Sequence, residues 1–115
     1  MAEDIKALDY SFEEVGKHLK SSKKRYIWKF LLSQATHNVV CDTSVVSNKV
    51  KIQLNGKVVK ETDVWAGQGF QHKFSVDGHE CIIIQEGDRF ELRIDNKIFL
   101  HLLNQEKAKK EFKNH

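Results

Sequence analysis

Residues 70–99 hold three short runs rich in β-branched and aromatic side chains, and the residues between the runs are those that reverse a chain. Phe74-Ser75-Val76 is followed by Asp77-Gly78, Cys81-Ile82-Ile83-Ile84 by Glu86-Gly87-Asp88, and Phe90-Glu91-Leu92-Arg93-Ile94 by Asp95-Asn96. Asn, Asp and Gly tolerate the positive φ of tight hairpin turns, so the stretch reads as an antiparallel meander. Phe90, Leu92 and Ile94 alternate with Glu91, Arg93 and Asp95, the pattern of a strand buried on one face. The run Cys81 to Ile84 is apolar on both faces. It predicts that the outward Ile82 and Ile84 are covered by a terminal helix or by another protein.

The same alternation extends upstream. Tyr26, Trp28, Phe30 and Leu32 share one face of a strand that begins at Arg25, and Val50, Ile52 and Leu54 share one face of another. His37 to Asp42 is a strand candidate with weaker alternation, entered through a turn over 33–36. Asn55-Gly56 is the strongest hairpin signal in the chain, with Lys57 to Lys60 returning. Residues 61–69 form a loop around Trp65, whose ring either plugs the end of the domain or meets a partner. The expected core is Trp28, Phe30, Ile52, Leu54, Phe74, Val76, Phe90, Leu92 and Ile94. No internal repeat, low-complexity tract or proline interrupts the chain.

The two ends read differently. Ile5, Leu8, Phe12, Val15 and Leu19 recur every three or four residues, and Ser11 with Glu14 has capping-box spacing, which predicts a helix over about 12–20. Leu100, Leu102, Leu103, Ala108 and Phe112 predict a second helix at the other end. The expected fold is mainly β: an antiparallel sandwich or barrel-like module over 25–99, between an amphipathic helical segment at 1–24 and a helical tail at 100–115.

With 115 residues and 40% hydrophobic content, the chain has material for one core. It lacks an apolar run of about 18 residues, and its acidic start is unlike a signal peptide, so a cytoplasmic protein without a membrane partner is expected. In that compartment Cys41 and Cys81 are expected as reduced thiols. The 19 Lys and Arg outweigh 16 Asp and Glu by a net charge of +3. The excess lies at the ends, in one patch at Lys17, Lys20, Lys23, Lys24 and Arg25 and another at Lys107, Lys109, Lys110 and Lys113. Neither is dense enough to favour nucleic acid.

No sequence pattern for catalysis stands out. His79 and Cys81 lie on one face of a strand, roughly 7 Å apart, and His37, Cys41 or His72 could supply a third metal ligand. Ligands paired at both ends of a site, as structural zinc requires, are missing. A cysteine inside Cys-Ile-Ile-Ile is set to have its pKa raised rather than lowered, the opposite of what a thiol nucleophile needs. Phosphate-binding glycine loops, nucleophile elbows and zinc-protease helices are also missing. The reading is a protein without catalytic residues, metal or cofactor.

The order Trp28-x-Phe30, His37-x-Val39, Leu54-Asn55-Gly56-Lys57, then His72-x-Phe74-Ser75-Val76-x-Gly78-His79-x-Cys81-x-Ile83 and Leu92-x-Ile94-Asp95-Asn96-x-x-Phe99 resembles the C-terminal domain of the Fas apoptotic inhibitory molecule family. The resemblance spans about 25–99. It implies a β-sandwich that is cytosolic and non-enzymatic, with a role in survival signalling and protection against aggregation. Family members usually carry two such modules, whereas this chain has one, with a shorter connection after Cys-Ile-Ile-Ile.

Two classes of function follow: a protein-binding regulatory module like that family, or a small structural subunit of a large cytosolic or cytoskeletal assembly, for example a ciliary one. In either, the expected contact residues are Phe12, Leu19, Lys23, Lys24, Arg25, Trp65, Ile82, Ile84, Lys107 and Lys110. The basic residues among them favour a protein partner with an acidic surface.

Overall fold

The computed structural model describes residues 5–63 and 69–113, with side chains through Lys110 in the last element. Strands β1 (Ile5–Glu14), β2 (Lys23–Leu32), β3 (Ala35–Ser44), β4 (Lys49–Leu54) and β5 (Lys57–Asp63) form one antiparallel sheet in sequence order. A second antiparallel sheet is the meander β6 (Gln71–Val76), β7 (His79–Glu86), β8 (Arg89–Ile94) and β9 (Lys97–Ile98). Helix α1 (Phe99–Lys113) follows directly. The chain is thus mainly β, two antiparallel sheets on one core, and the sheets do not close into a barrel.

Turn chemistry sets the registers. Asn55-Gly56, Asp77-Gly78 and Asp95-Asn96 all have positive φ at both central residues, the twist that matches flanking strands. Ser33 (φ 49°) and Gln34 (φ 71°) adopt the same conformation without Gly or Asn. The turn there is therefore tighter than the sequence indicates, and β3 runs the full length of β2, from Leu32 opposite Ala35 to Lys23 opposite Ser44.

Between the sheets, Tyr26, Trp28, Phe30, Leu32, Val39, Cys41 and Ile52 from the first face Cys81, Ile83, Phe90, Leu92 and Ile94 from the second, in a single buried cluster. Burying each large apolar side chain contributes about 1.5–3 kcal/mol. Tyr26 packs on Phe90 with ring centroids 5.7 Å apart, and Phe30 meets Phe99 edge-on at 6.2 Å. Leu54 and Phe74, expected in the core, are only partly buried and pack against its margin.

The N-terminal stripe is a strand, not a helix. β1 pairs with β2 along its length, and its register slips between Ala7 and Asp9, which leaves Leu8 as an extra bulged residue. Ile5 and Ala7 before the bulge and Tyr10 and Phe12 after it lie opposite Leu32, Phe30, Trp28 and Tyr26. One inserted residue turns a period of two into intervals that imitate a helical stripe. The β module accordingly begins at β1, and only a single 3-10 turn, Lys20–Ser22, interrupts the segment before β2.

The C-terminal helix is present and starts one residue earlier than expected. Its first turn carries the packing: Phe99 and Leu103 are buried, Leu100 and Leu102 partly so, and the helix rests mainly on β1 and on the ends of β8 and β9. It therefore does not supply the expected cover for the outer face of β7. Ile82 and Ile84 are half-buried instead, with Lys73 and Arg93 flanking Ile82 in register and Gln71 and Glu91 flanking Ile84. Long polar side chains can shield such positions with their alkyl stems.

Because Phe30 is fully buried between the sheets whereas Phe74 lies at the margin, Phe30→Ala should cost about 3–5 kcal/mol in urea unfolding. Phe74→Ala should cost clearly less. Equal losses would contradict the two-sheet core described here.

Candidate functional site

Two buried histidines stand at one end of the sandwich, and each is held by the turn of a neighbouring hairpin. The Oδ1 of Asn55 accepts the backbone N–H of Asn38 at 2.8 Å, so its Nδ2 is the donor facing His37 Nδ1 at 3.1 Å. That leaves the ring proton on Nε2, which donates to the Asp77 carboxylate at 3.0 Å. In the second sheet, Asp95 Oδ1 accepts the backbone N–H of Glu80 at 3.1 Å, and its Oδ2 accepts from His79 Nδ1 at 2.6 Å. The bond to His79 is the main reason the Asp95 carboxyl is held below the usual range.

These two arrangements are one motif used twice. Val39 lies opposite Leu54 as Cys81 lies opposite Ile94. In both, a His-x pair on one strand is clamped by the first turn residue after the next. The local correspondence of His37-Asn38 with Asn55, and of His79-Glu80 with Asp95, is a repeat at the level of hairpins. His37 reaches across to Asp77 in the other sheet, so the motif also ties the sheets together. Both ring nitrogens of His37 are engaged.

The thiols are equally committed to structure. Cys41 and Cys81 are buried and unpaired with each other. Burial pushes the Cys41 thiol far up, and it pushes Cys81 up to about 12, with Asp95 and Glu80 adding to the effect. A thiol in that state is a small core side chain rather than a nucleophile. Among the described residues, no three His, Cys, Asp or Glu side chains converge as metal ligands would.

The residues expected to meet a partner fall on three surfaces. Phe12, Leu19, Lys23 and Lys24 gather at the end of the sandwich opposite the histidines. Arg25 points the other way along β2 and is bound to Asp42 at 2.7 Å. It belongs to a row of alternating charge, Glu13, Arg25, Asp42, Lys51 and Glu61, running in register across all five strands. Such exposed pairs contribute about 0.2–1 kcal/mol, so Arg25 serves the sheet and is not an open cation. Ile82 and Ile84 sit on the outer face of the second sheet. Trp65 lies outside the described residues, as does the side chain of Phe112.

The third surface was only half legible. Lys107 joins Lys6, Lys109 and Lys110 on the rim of a groove of ≈ 850 Å³ between β1 and α1, whose floor is Ile5, Ala7, Leu8, Leu103 and Ala108. Glu106, the one acid among the described residues that line it, is paired with Lys109 at 3.5 Å. The lysine pattern of the helix was visible in sequence. That a strand rather than a helix forms the opposite wall was not, because the bulge at Leu8 disguises it. Compared with protein families, with curated proteins and with solved structures, the chain has no match.

Since the folded-state pKa of Asp95 is depressed, its contribution to stability is complete above the unfolded carboxylate range and is lost as pH falls through the lowered folded value. Acid unfolding of Asp95→Asn should therefore show a shallower loss of stability below about pH 4 than the parent chain. Identical acid titrations would remove the His79 pair from the account.

Proposed function

We propose that this chain is a non-enzymatic protein-binding module of the kind implied by its resemblance to the Fas apoptotic inhibitory molecule family. The observation that carries the reading is the groove between β1 and α1, an apolar floor with a lysine rim on which Glu106, the one acid among the described lining residues, is paired with Lys109. A short peptide segment of a partner protein fits such a groove if it offers apolar side chains to Leu8 and Leu103 and carboxylates to Lys6, Lys107 and Lys110. The engaged histidine and the buried thiols with raised pKa support a binding rather than a catalytic role. A part in survival signalling or protection against aggregation follows from the resemblance alone.

The free edge of the first sheet is a poorer place for a partner. Val59 is bulged out of register in β5, and Lys57 and Lys60 stand on either side of it. Bulges and lysines are the devices that keep an edge strand from pairing with another chain. An assembly subunit built by strand addition would need the opposite. The assembly-subunit reading therefore has less support than the groove.

Affinity capture with the full chain from its native source, followed by reconstitution with the captured protein in purified form, tests the proposal. Lys107→Glu with Lys110→Glu should weaken the reconstituted complex by about tenfold at low salt and leave thermal unfolding unchanged, because both side chains are exposed. Leu8→Asp should weaken it further. Undiminished affinity in both variants would take the binding site off the groove.

A further inference from the structure

The end of the sandwich opposite the histidines presents aliphatic side chains to solvent in a way that hairpin chemistry does not explain. The β3–β4 connection has Ser44, Ser47 and Asn48, ordinary turn residues, but at its tip stand Val45 and Val46, 59% and 80% exposed. Beside it the β1–β2 connection lifts Leu19 to 65% exposure. These two loops are fixed to each other and to the sheet. The Val45 N–H donates to the Ser22 carbonyl at 2.9 Å and the Val15 N–H to the Lys23 carbonyl at 2.8 Å. Gly16 is buried, and a Cβ there would lie 2.1 Å from the Leu19 carbonyl oxygen, so the loop closes only around glycine. The aliphatic tips are thus held in place before any ligand arrives.

The two loops themselves carry basic residues, and acids stand at their base: Glu14 lies opposite Lys24, Asp63 opposite Lys49, and Asp88 lines a recess with Lys24 and Val45. Residues 15–24 contain Lys17, Lys20, Lys23 and Lys24 and no acid, and Lys49 flanks the second loop. Among the described residues none of these lysines takes part in an ion pair, although Arg25 next to them does. Between the loops and the first sheet a recess of ≈ 260 Å³ is lined by Lys23, Lys24, Arg25, Lys49 and Lys51, by the acids Asp42 and Glu61, and by Val15, Thr43, Ser44 and Ser47.

We infer that this end is a docking surface for an anionic lipid bilayer, with Leu19, Val45 and Val46 entering the headgroup layer and the surrounding lysines meeting lipid phosphates. The shape favours a bilayer over an acidic protein. Val46, Leu19 and Val45 are the three most exposed large apolar side chains among the described residues, and they stand on two separate tips rather than along one apolar face. Short aliphatic tips set among lysines match the polarity of an interface, where alkyl groups sink and ammonium groups stay at phosphate level. Among the described residues no helix is long and apolar enough to cross a membrane.

Sedimentation of the full chain with phosphatidylcholine vesicles, with and without phosphatidylserine, tests this. Binding is expected only with phosphatidylserine and is expected to weaken with salt. Lys20→Glu with Lys23→Glu should lower the bound fraction by about tenfold or more. Val45→Ser with Val46→Ser and Leu19→Ser should lower it severalfold at every salt concentration, with circular dichroism unchanged because the sites are exposed. Lys107→Glu with Lys110→Glu should leave it unaltered. The inference is overturned if phosphatidylserine vesicles do not retain the chain, or if the aliphatic variant binds like the parent, which would mean charge adsorption without insertion. It is equally overturned if polyglutamate binds this end and the vesicles do not, which would assign the surface to an acidic protein.

Discussion

Two sheets that share no strand are joined here by the side chains between them, and every other feature of the molecule depends on that joint. Tyr26 against Phe90 and His37 against Asp77 link one sheet to the other, and Phe30 against Phe99 links the first sheet to helix α1. Tyr26 shows the demand this makes: its ring is buried, burial pushes its phenol up to about 12, and its hydroxyl meets the Phe90 backbone. A polar atom so placed must find a partner, which makes the contact directional as well as apolar. Helix α1 completes the joint by placing Phe99 and Leu103 where β1 and the short β9 would otherwise leave the core open.

At the histidine end the same joint is made with polar groups. Asn55, Asp77 and Asp95 all occupy left-handed turn positions, and their side chains then point back at His37 and His79. One residue type thus sets the hairpin and satisfies a buried ring. The opposite end is built on another principle, with loops tied by backbone hydrogen bonds and side chains left to solvent. The two ends are thus built differently, one from polar side-chain contacts and the other from backbone hydrogen bonds between loops.

The hairpins of the second sheet were legible from sequence because Asp-Gly and Asp-Asn carry their conformation locally, and strict alternation in β2, β4 and β8 gave the buried faces. Residues that obey a local rule were read correctly. β1 was misread as a helix since the bulge at Leu8 breaks its alternation, and the beginning of β3 was blurred because Ser33 and Gln34 turn without the usual residues. The basic patch at Lys23, Lys24 and Arg25 was legible as charge but not as a surface: strand alternation sends Arg25 to Asp42 and the neighbouring Lys24 to the other face. The histidine clamps could not be seen in linear order, as the partners are brought together by register between strands, although the recurrence of His-x before Leu-Asn-Gly-Lys and before Ile-Asp-Asn-Lys is a signal that was there to be found.

β1 is paired along its length with β2 and is at once one wall of the groove and the anchor of the lysine-bearing loop, a scaffold element ordered without a partner. A tail that folds only on binding would place neither. Native-state hydrogen exchange of the isolated full chain measures the difference directly. The β1 amides that face β2 should be protected to the same order as those joining β2 to β3. Exchange of the β1 amides at the rate of unstructured chain, with β2 and β3 still protected, would contradict it.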